Sequence, residues 1–234
     1  MSFNYGTDTC ANIDTWKCSE CVHEEREDYY EVANPELKAK REAEYLKELF
    51  EAMPKENLSV SISEDFMKDF VISKKYTATT PRCCCVYCAN DYVLATDSMR
   101  MIKINTDVPN EFRGKHIIDI QNGEAFIHLE PANVFYVNGS AINKFNQGNA
   151  QIITTKQKFR ELLTNCKEYN ESSWVDKKFI IQDKYLEDII ELIPNNDEEI
   201  TIKHGGQCEP VTFGFKRYEI LVMPVKPHNY SKSL

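Results

Sequence analysis

Two cysteine pairs in this chain have the spacing of zinc knuckles, Cys18-x-x-Cys21 and Cys85-x-x-Cys88. Four thiolates from two such knuckles would close a tetrahedral structural site, with Cys10, His23, Cys83 and Cys84 as spare donors. Against this, Arg82–Cys88 reads as a strand, and a strand sends Cys85 and Cys88 to opposite faces unless a bulge turns one of them. Three readings stay open for these sulfurs: a structural zinc held by Cys18, Cys21, Cys85 and Cys88, reduced buried thiols, or a redox pair. Cys166 and Cys208 stand alone, and no cofactor other than that zinc is implied.

A second chemical cluster is Thr96-Asp97-Ser98-Met99-Arg100, which interrupts an alternating apolar run. Asp97 with His116 or Asp119 would be the one acid–base pair to consider. An aspartate in so tight a turn is instead expected to bind the backbone amides that follow it. The five histidines are scattered without metal-ligand spacing. The sequence contains no P-loop, nucleophile elbow, His-Glu-x-x-His or dinucleotide turn. The chain is therefore expected not to be an enzyme.

With 234 residues there is enough chain for one large domain or two small ones, and 42% hydrophobic residues can supply a core. No apolar run is long enough to span a bilayer, and MSFNYGTDTC has no basic-then-apolar leader. A cytoplasmic protein with no membrane association is expected. The net charge of −9 disfavours a uniformly basic nucleic-acid binder, although a local basic stripe is compatible with it.

The elements that would position these residues show a pattern of their own. Residues 1–57 read as a Cys-bearing arm followed by a helix, capped by Asn34 with Pro35 at its first position. Leu37, Tyr45, Leu46, Leu49 and Phe50 give that helix an apolar stripe until Pro54 ends it. Then Leu58–Ser63 alternates as a strand, Ser63 caps a helix carrying Phe66, Met67, Phe70 and Val71, and Arg82–Cys88, Tyr92–Thr96 and Met99–Asn105 read as strands. His116–Ile120 and Glu124–Leu129 follow, joined at an Asn122-Gly123 turn. Residues 132–177 read as an insertion: a polar loop or irregular hairpin, then a helix over Thr154–Asn170 with Phe159, Leu162, Leu163 and Cys166 inward.

After the insertion the first order recurs. Lys178–Gln182 is a strand, Asp183 caps the helix Lys184–Ile193, and Glu199–His204, Val211–Lys216 and Glu219–Val225 are strands. The unit of strand, capped helix and strands over 58–104 thus returns over 178–225. Each copy alone leaves a sheet edge and a helix face unburied, and pairing the two copies edge to edge buries both. The expected fold is α+β, with two repeated strand–helix–antiparallel-sheet units in one pseudo-symmetric domain over 58–226. Its halves are 58–131 and 178–226, and 227–234 forms a tail.

This repeat, with Ala95-Thr96-Asp97-Ser98-Met99-Arg100-Met101, Thr80-Pro81, Tyr185-Leu186, Pro210 and Met223-Pro224, resembles the bacterial DNA sliding clamp, the DNA polymerase III beta subunit family. The resemblance covers about half of the chain and departs at Met99, where the family usually has His, and at Lys226, where it has Arg. A bacterial clamp subunit carries three such domains, whereas this chain has room for one with additions. A DNA-clamp-like fold and a non-enzymatic accessory role in DNA replication are what the resemblance implies. Its partners would be DNA, or a polymerase or other replication protein through a peptide motif, and a homo-oligomeric ring is one assembly that could follow. An interaction module that is stabilised by zinc and no longer encircles DNA is the alternative.

The family pocket, carried over residue by residue, falls on Thr96, Ser98, Met99, Arg100, Met101, Met223 and Pro224. A methionine-rich hollow with a cation at its rim suits an amphipathic peptide. The competing reading makes Met101 and Met223 core residues and pairs Arg100 with an acid. For DNA, the first helix offers Lys68, Lys74 and Lys75 to phosphates. The second helix offers Lys184 against Asp183, Glu187, Asp188 and Glu191, a balance that repels phosphate and shifts weight from DNA to the peptide hollow.

Overall fold

The structure is a computed structural model that describes residues 40, 41, 44, 47, 48, 51–78, 80, 82–130, 137, 141–146, 148–167 and 171–226. The chain divides into two compact units, Met1–Ala52 and Met53–Leu234. In the first unit the described residues, 40–52 with gaps, are helical, with an exposed Lys40–Glu44 pair one turn apart at 3.9 Å. The arm, its Cys10, Cys18, Cys21 and His23, and the caps Asn34 and Pro35 lie outside the described residues. Among the described residues no helix is long and apolar enough to cross a membrane.

The second unit is built on a ten-stranded antiparallel sheet. Its strands in chain order are β1 (Lys55–Ser59), β2 (Val86–Cys88), β3 (Tyr92–Thr96), β4 (Arg100–Asn105), β5 (Lys115–Gln121), β6 (Glu124–His128), β7 (Ala150–Thr155), β11 (Glu199–His204), β12 (Val211–Phe215) and β13 (Tyr218–Val222). The spatial order is β1-β6-β5-β2-β3-β4-β13-β12-β11-β7. The repeat explains this order: β2-β3-β4 and β11-β12-β13 are laid down in opposite senses and meet at the β4–β13 seam. There Ile102 faces Ile220, Ile104 faces Tyr218 and Arg100 faces Val222. The α+β fold of two repeats joined edge to edge within this unit is as the recurrence predicts.

Helix α1 (Glu64–Lys74) follows β1, and Ser63 caps it by accepting from the Phe66 amide at 3.2 Å. Its Phe66 and Phe70 bury against the sheet. Helix α3 (Asp183–Leu192) does the same for the second repeat through Tyr185, Leu186 and Ile189. Here the expected aspartate cap is corrected. Gln182 holds the N-cap position and makes no side-chain cap bond, while Asp183 sits in the first turn, where its charge opposes the helix dipole's positive end. The main core lies between these helices and the sheet. A smaller apolar cluster of Leu94, Met101, Val137, Ala141, Phe145 and Leu221 lies apart from it, on side chains that alternate with core residues such as Ala95, Ile102 and Val222.

Several boundaries differ from the sequence pattern, each for a local reason. Residues 82–85 are turn and bend, so the Arg82–Cys88 strand is confined to Val86–Cys88. The first strand runs from Lys55 to Ser59 because its partner β6 pairs along that register, Lys55 with His128 through Ser59 with Glu124. Helix α2 is only Lys156–Leu162, capped by Thr155. At Leu163 the chain turns extended and forms β8 (Leu163–Asn165), because it gains a ladder with β9 (Ser172–Val175) that Thr164 and Asn165, weak helix formers, favour. Strand β10 (Phe179–Gln182) pairs with β9, so the second copy's first strand belongs to a separate three-stranded sheet, β10-β9-β8. The two copies are therefore alike in helix and strands but not in their opening strand.

Candidate functional site

The β3–β4 connection is a hydrogen-bonded turn. Asp97 Oδ1 accepts from the amides of Met99 at 3.0 Å and Arg100 at 2.9 Å, as expected for an aspartate binding its own turn. Thr96 Oγ1 donates to the Arg100 carbonyl at 2.6 Å and accepts from the Ser98 amide at 3.1 Å. Ser98 is thereby held at φ 78°, the left-handed region, and Met99 is pushed outward to 46% exposure.

Arg100 is a hub inside the fold. Its Nε donates to Asp97 Oδ2 at 2.9 Å, one Nη donates to Asp188 of α3, and the other donates to the Lys75 carbonyl at 3.0 Å at the end of α1. The guanidinium also lies over the rings of Tyr76, 4.3 Å from its centroid, and Tyr185, at 4.8 Å. These carboxylates hold the guanidinium pKa above its ordinary value even though burial opposes them. Burial drives the Tyr76 phenol upward, keeping it neutral. Arg100 thus lines the hollow while paired with Asp97 and Asp188, an acid pairing that the competing reading expects, and it links residues of the two repeats.

Beyond the turn, β13 runs antiparallel to β4, and the Met223 amide donates to the Met99 carbonyl at 2.8 Å. Between these segments lies a hollow of about 460 Å³. It brings together Thr96, Ser98, Met99, Arg100, Met101 and Met223. Pro224 is buried and is not among the lining residues. Met101 is nearly buried in the smaller apolar cluster, so it forms the floor, whereas Met223 is only half-buried and Met99 stands at the edge.

Lys144, Pro210 and Leu221 also line the hollow. Leu221 was legible in principle, because it stands two residues from Met223 on a strand and shares its face. Lys144 lies in a 3₁₀ turn, Ala141–Asn146, whose Ala141 and Phe145 pack into the cluster below. The polar composition of that segment hides those two anchors. Lys144 is exposed and joins Arg100 as a second cation of the lining.

The other expected site residues are placed as follows. Lys68 is exposed and pairs with Asp65 at 3.4 Å. Lys75 is exposed. Lys74 is half-buried, with its ammonium donating to the carbonyls of Ile118 at 2.7 Å and Cys84 at 3.3 Å. On α3 the exposed charges are Lys184, Glu187 and Glu191. Cys85 and Cys88 are buried thiols, and Cys18 and Cys21 lie outside the described residues. Among the described residues, no three Cys, His, Asp or Glu side chains gather as a metal site.

No protein-family model and no curated protein matches the chain. Solved structures do. The Helicobacter pylori beta clamp bound to a DNA ligase peptide superposes with a TM-score of 0.50 at 10% identity, over 74% of this chain and 66% of that one. The DNA polymerase III beta subunit of Pseudomonas aeruginosa gives 0.49 at 11% identity, over 72% and 64%. The fold is that of the bacterial sliding clamps, as the repeated unit and the Thr96–Met101 and Met223–Pro224 segments imply. The chain spans 64–66% of the length of these two clamp structures, and at these identities the likeness is one of fold.

Proposed function

We propose that this chain is a clamp-like accessory protein of DNA replication that holds a short peptide from a polymerase or other replication protein in the hollow between Thr96–Met101 and Leu221–Met223. The observation that carries this is the hollow itself: an apolar floor of Met101 and Leu221, half-exposed Met99 and Met223 at its edges, and Lys144 at its rim. Unbranched thioether side chains re-pack around different apolar partners, and the exposed Lys144 favours a peptide with acidic residues beside its apolar anchors. The Helicobacter pylori clamp was solved with a DNA ligase peptide, which makes that peptide a practical first probe.

Fluorescence anisotropy with the labelled ligase peptide tests the reading. Saturable binding that is lost in Met223→Lys and weakened in Lys144→Glu supports it. Binding that survives Met223→Lys unchanged, or no binding by a folded chain, overturns it.

A DNA contact rests on fewer groups, the exposed Lys68 and Lys75 of the α1 region, against the exposed Glu187 and Glu191 of α3. Titrating duplex, primed and single-stranded DNA across a salt series measures it, since phosphate binding weakens steeply with salt. The solution mass decides whether copies of the chain assemble into a ring.

A further inference from the structure

The sequence predicts a strand through Cys83-Cys84-Cys85, but the chain bends there and the strand begins only at Val86. A strand would send the neighbouring Cys84 and Cys85 to opposite faces. In this bend their side chains converge instead, and the two sulfurs lie 3.4 Å apart. Backbone bonds fix the bend on the segment after α1. The Cys83 amide donates to the Thr80 carbonyl at 2.9 Å, and the Ala78 amide donates to the Cys83 carbonyl at 3.0 Å. The Lys74 ammonium donates to the Cys84 carbonyl at 3.3 Å and puts positive charge beside the pair. Cys84 is 7% exposed and Cys85 2%, so Cys84 is the sulfur nearer to solvent. The Met53 thioether sulfur lies 3.9 Å from it.

We propose that Cys84 and Cys85 are a reversible redox site, at which hydrogen peroxide converts the two adjacent thiols into a disulfide. The Cys84 sulfur attacks one peroxide oxygen and the O–O bond breaks. The departing hydroxide takes up the proton that Cys84 has given up, which makes the first water, and Cys84 is left as a sulfenic acid. The Cys85 sulfur then attacks the Cys84 sulfur, and its S–H proton leaves with the sulfenic oxygen as the second water. Two thiols are thereby oxidised by two electrons, and one peroxide is reduced to two waters. The contact assigns the roles. The Cys85 thiol donates to the Cys84 sulfur, which holds Cys84 below its ordinary pKa, with help from Lys74 and against burial. The same donation holds the Cys85 proton in place. Cys84, the more exposed and more thiolate-like sulfur, is therefore oxidised first. Once it carries oxygen, the charge that retained the Cys85 proton is gone. Adjacent α-carbons stand about 3.8 Å apart across a trans peptide, below the roughly 4.4–6.8 Å that disulfides usually span. The bond is accordingly strained and readily reduced, which suits a switch rather than a structural staple. Drawing the sulfurs together also moves the peptide whose carbonyl holds Lys74 at the end of α1. This inference is independent of the peptide hollow.

The test treats the full, reduced chain with hydrogen peroxide and then unfolds it in a first alkylating reagent, which marks every thiol that stayed reduced. Dithiothreitol and a second reagent then mark the sulfurs that were bridged, and peptide mass spectrometry locates both labels. The expected result is the second label on Cys84 and Cys85 alone within the Cys83–Arg100 peptide. Before reduction that peptide should have lost two hydrogens. Cys84→Ser should abolish the loss. Cys85→Ser should abolish it too and leave on Cys84 a sulfenic acid that dimedone traps. The label pattern of the unsubstituted chain needs no variant to fold. A second label that pairs Cys84 with Cys83, Cys88 or a cysteine outside the peptide overturns the proposal. So does the first reagent on both Cys84 and Cys85 after excess peroxide, whether or not Met53 has gained an oxygen.

Discussion

The Met223 amide donates to the Met99 carbonyl at 2.8 Å, so the chain leaving β13 is tied to the β3–β4 turn at the mouth of the hollow. One bond couples two segments that come from different repeats and stand far apart in the chain. It also divides the methionines by role. Met99 is 46% exposed and Met101 is 4% exposed, although they are two residues apart. Met99→Ala should leave stability within about 0.5 kcal/mol of the parent, because a surface side chain is removed. Its peptide affinity should fall several-fold. Met101→Ala should cost about 2–4 kcal/mol, because it opens a cavity in the smaller cluster. Urea unfolding and anisotropy titration of both variants check the split, and equal stability losses would refute it.

Arg100 supports the site from behind. Its side chain is 11% exposed and serves Asp97, Asp188 and the Lys75 carbonyl at once. Arg100→Ala should cost about 3 kcal/mol, since removing one partner strands the others. Arg100→Lys should restore less than half of that loss, because an ammonium has neither the planar fork nor the same fit over Tyr76 and Tyr185. Asp188→Asn should cost below about 1 kcal/mol, because Asp188 is 41% exposed and water takes over its role. Denaturation midpoints of the three variants give the order.

These two residues also show how much the sequence discloses. Alternation locates β11 nearly to the residue, because it buries every other side chain, whereas β3 and β4 are buried on both faces and are located by their β-branched and aromatic runs. The turn chemistry of Asp97 is legible too, since donors and acceptor are neighbours. The partner of Arg100 is not, because Asp188 lies 88 residues away and nothing local marks it among the other acids of α3. Strand β8 is hidden too. Leu162 and Leu163 continue a helical stripe, and only the ladder with β9 makes the extended form win. Lys144 is missed because the two side chains that seat its turn, Ala141 and Phe145, are isolated apolar residues in a polar stretch.

Acid should loosen the fold through its histidines. A carbonyl only accepts, so His116 Nε2 carries the proton and donates to the Val137 carbonyl at 2.7 Å. His128 Nδ1 accepts from the Glu130 amide at 3.1 Å, a bond that protonation removes. Burial lowers the pKa of His116, His128 and His204 below the ordinary value, helped at His204 by Lys178. The unfolded chain therefore binds protons that the folded chain refuses. The stability these groups contribute is complete above about pH 6.5 and is lost as pH falls through their lowered folded values. Both ring nitrogens of His204 are buried without a hydrogen-bond partner among the described residues, and the ring packs 5.2 Å from Phe179. His204→Phe should accordingly raise stability by about 1 kcal/mol near neutral pH and flatten the acid slope. Urea midpoints measured from neutral to mildly acid pH test it, and an unchanged slope in His204→Phe would show that this ring does not titrate on unfolding.

Asp97 separates the geometry of the turn from its charge. Oδ1 accepts the Met99 and Arg100 amides, and Oδ2 accepts Arg100 Nε at 2.9 Å. Asp97→Asn keeps an oxygen for the two amides and removes the charge, so it should cost about 1 kcal/mol. Asp97→Ala removes both, and it frees Ser98 from a turn that holds it at φ 78°. The cost should then be about 2–3 kcal/mol, with the Met99 and Arg100 amides exchanging faster with solvent. Because those two residues carry the mouth of the hollow, peptide affinity should fall in Asp97→Ala and stay close to the parent in Asp97→Asn. Hydrogen exchange measured beside anisotropy decides the matter. Equal exchange rates in the two variants would mean that charge on Arg100, rather than the bonds of Oδ1, shapes the turn.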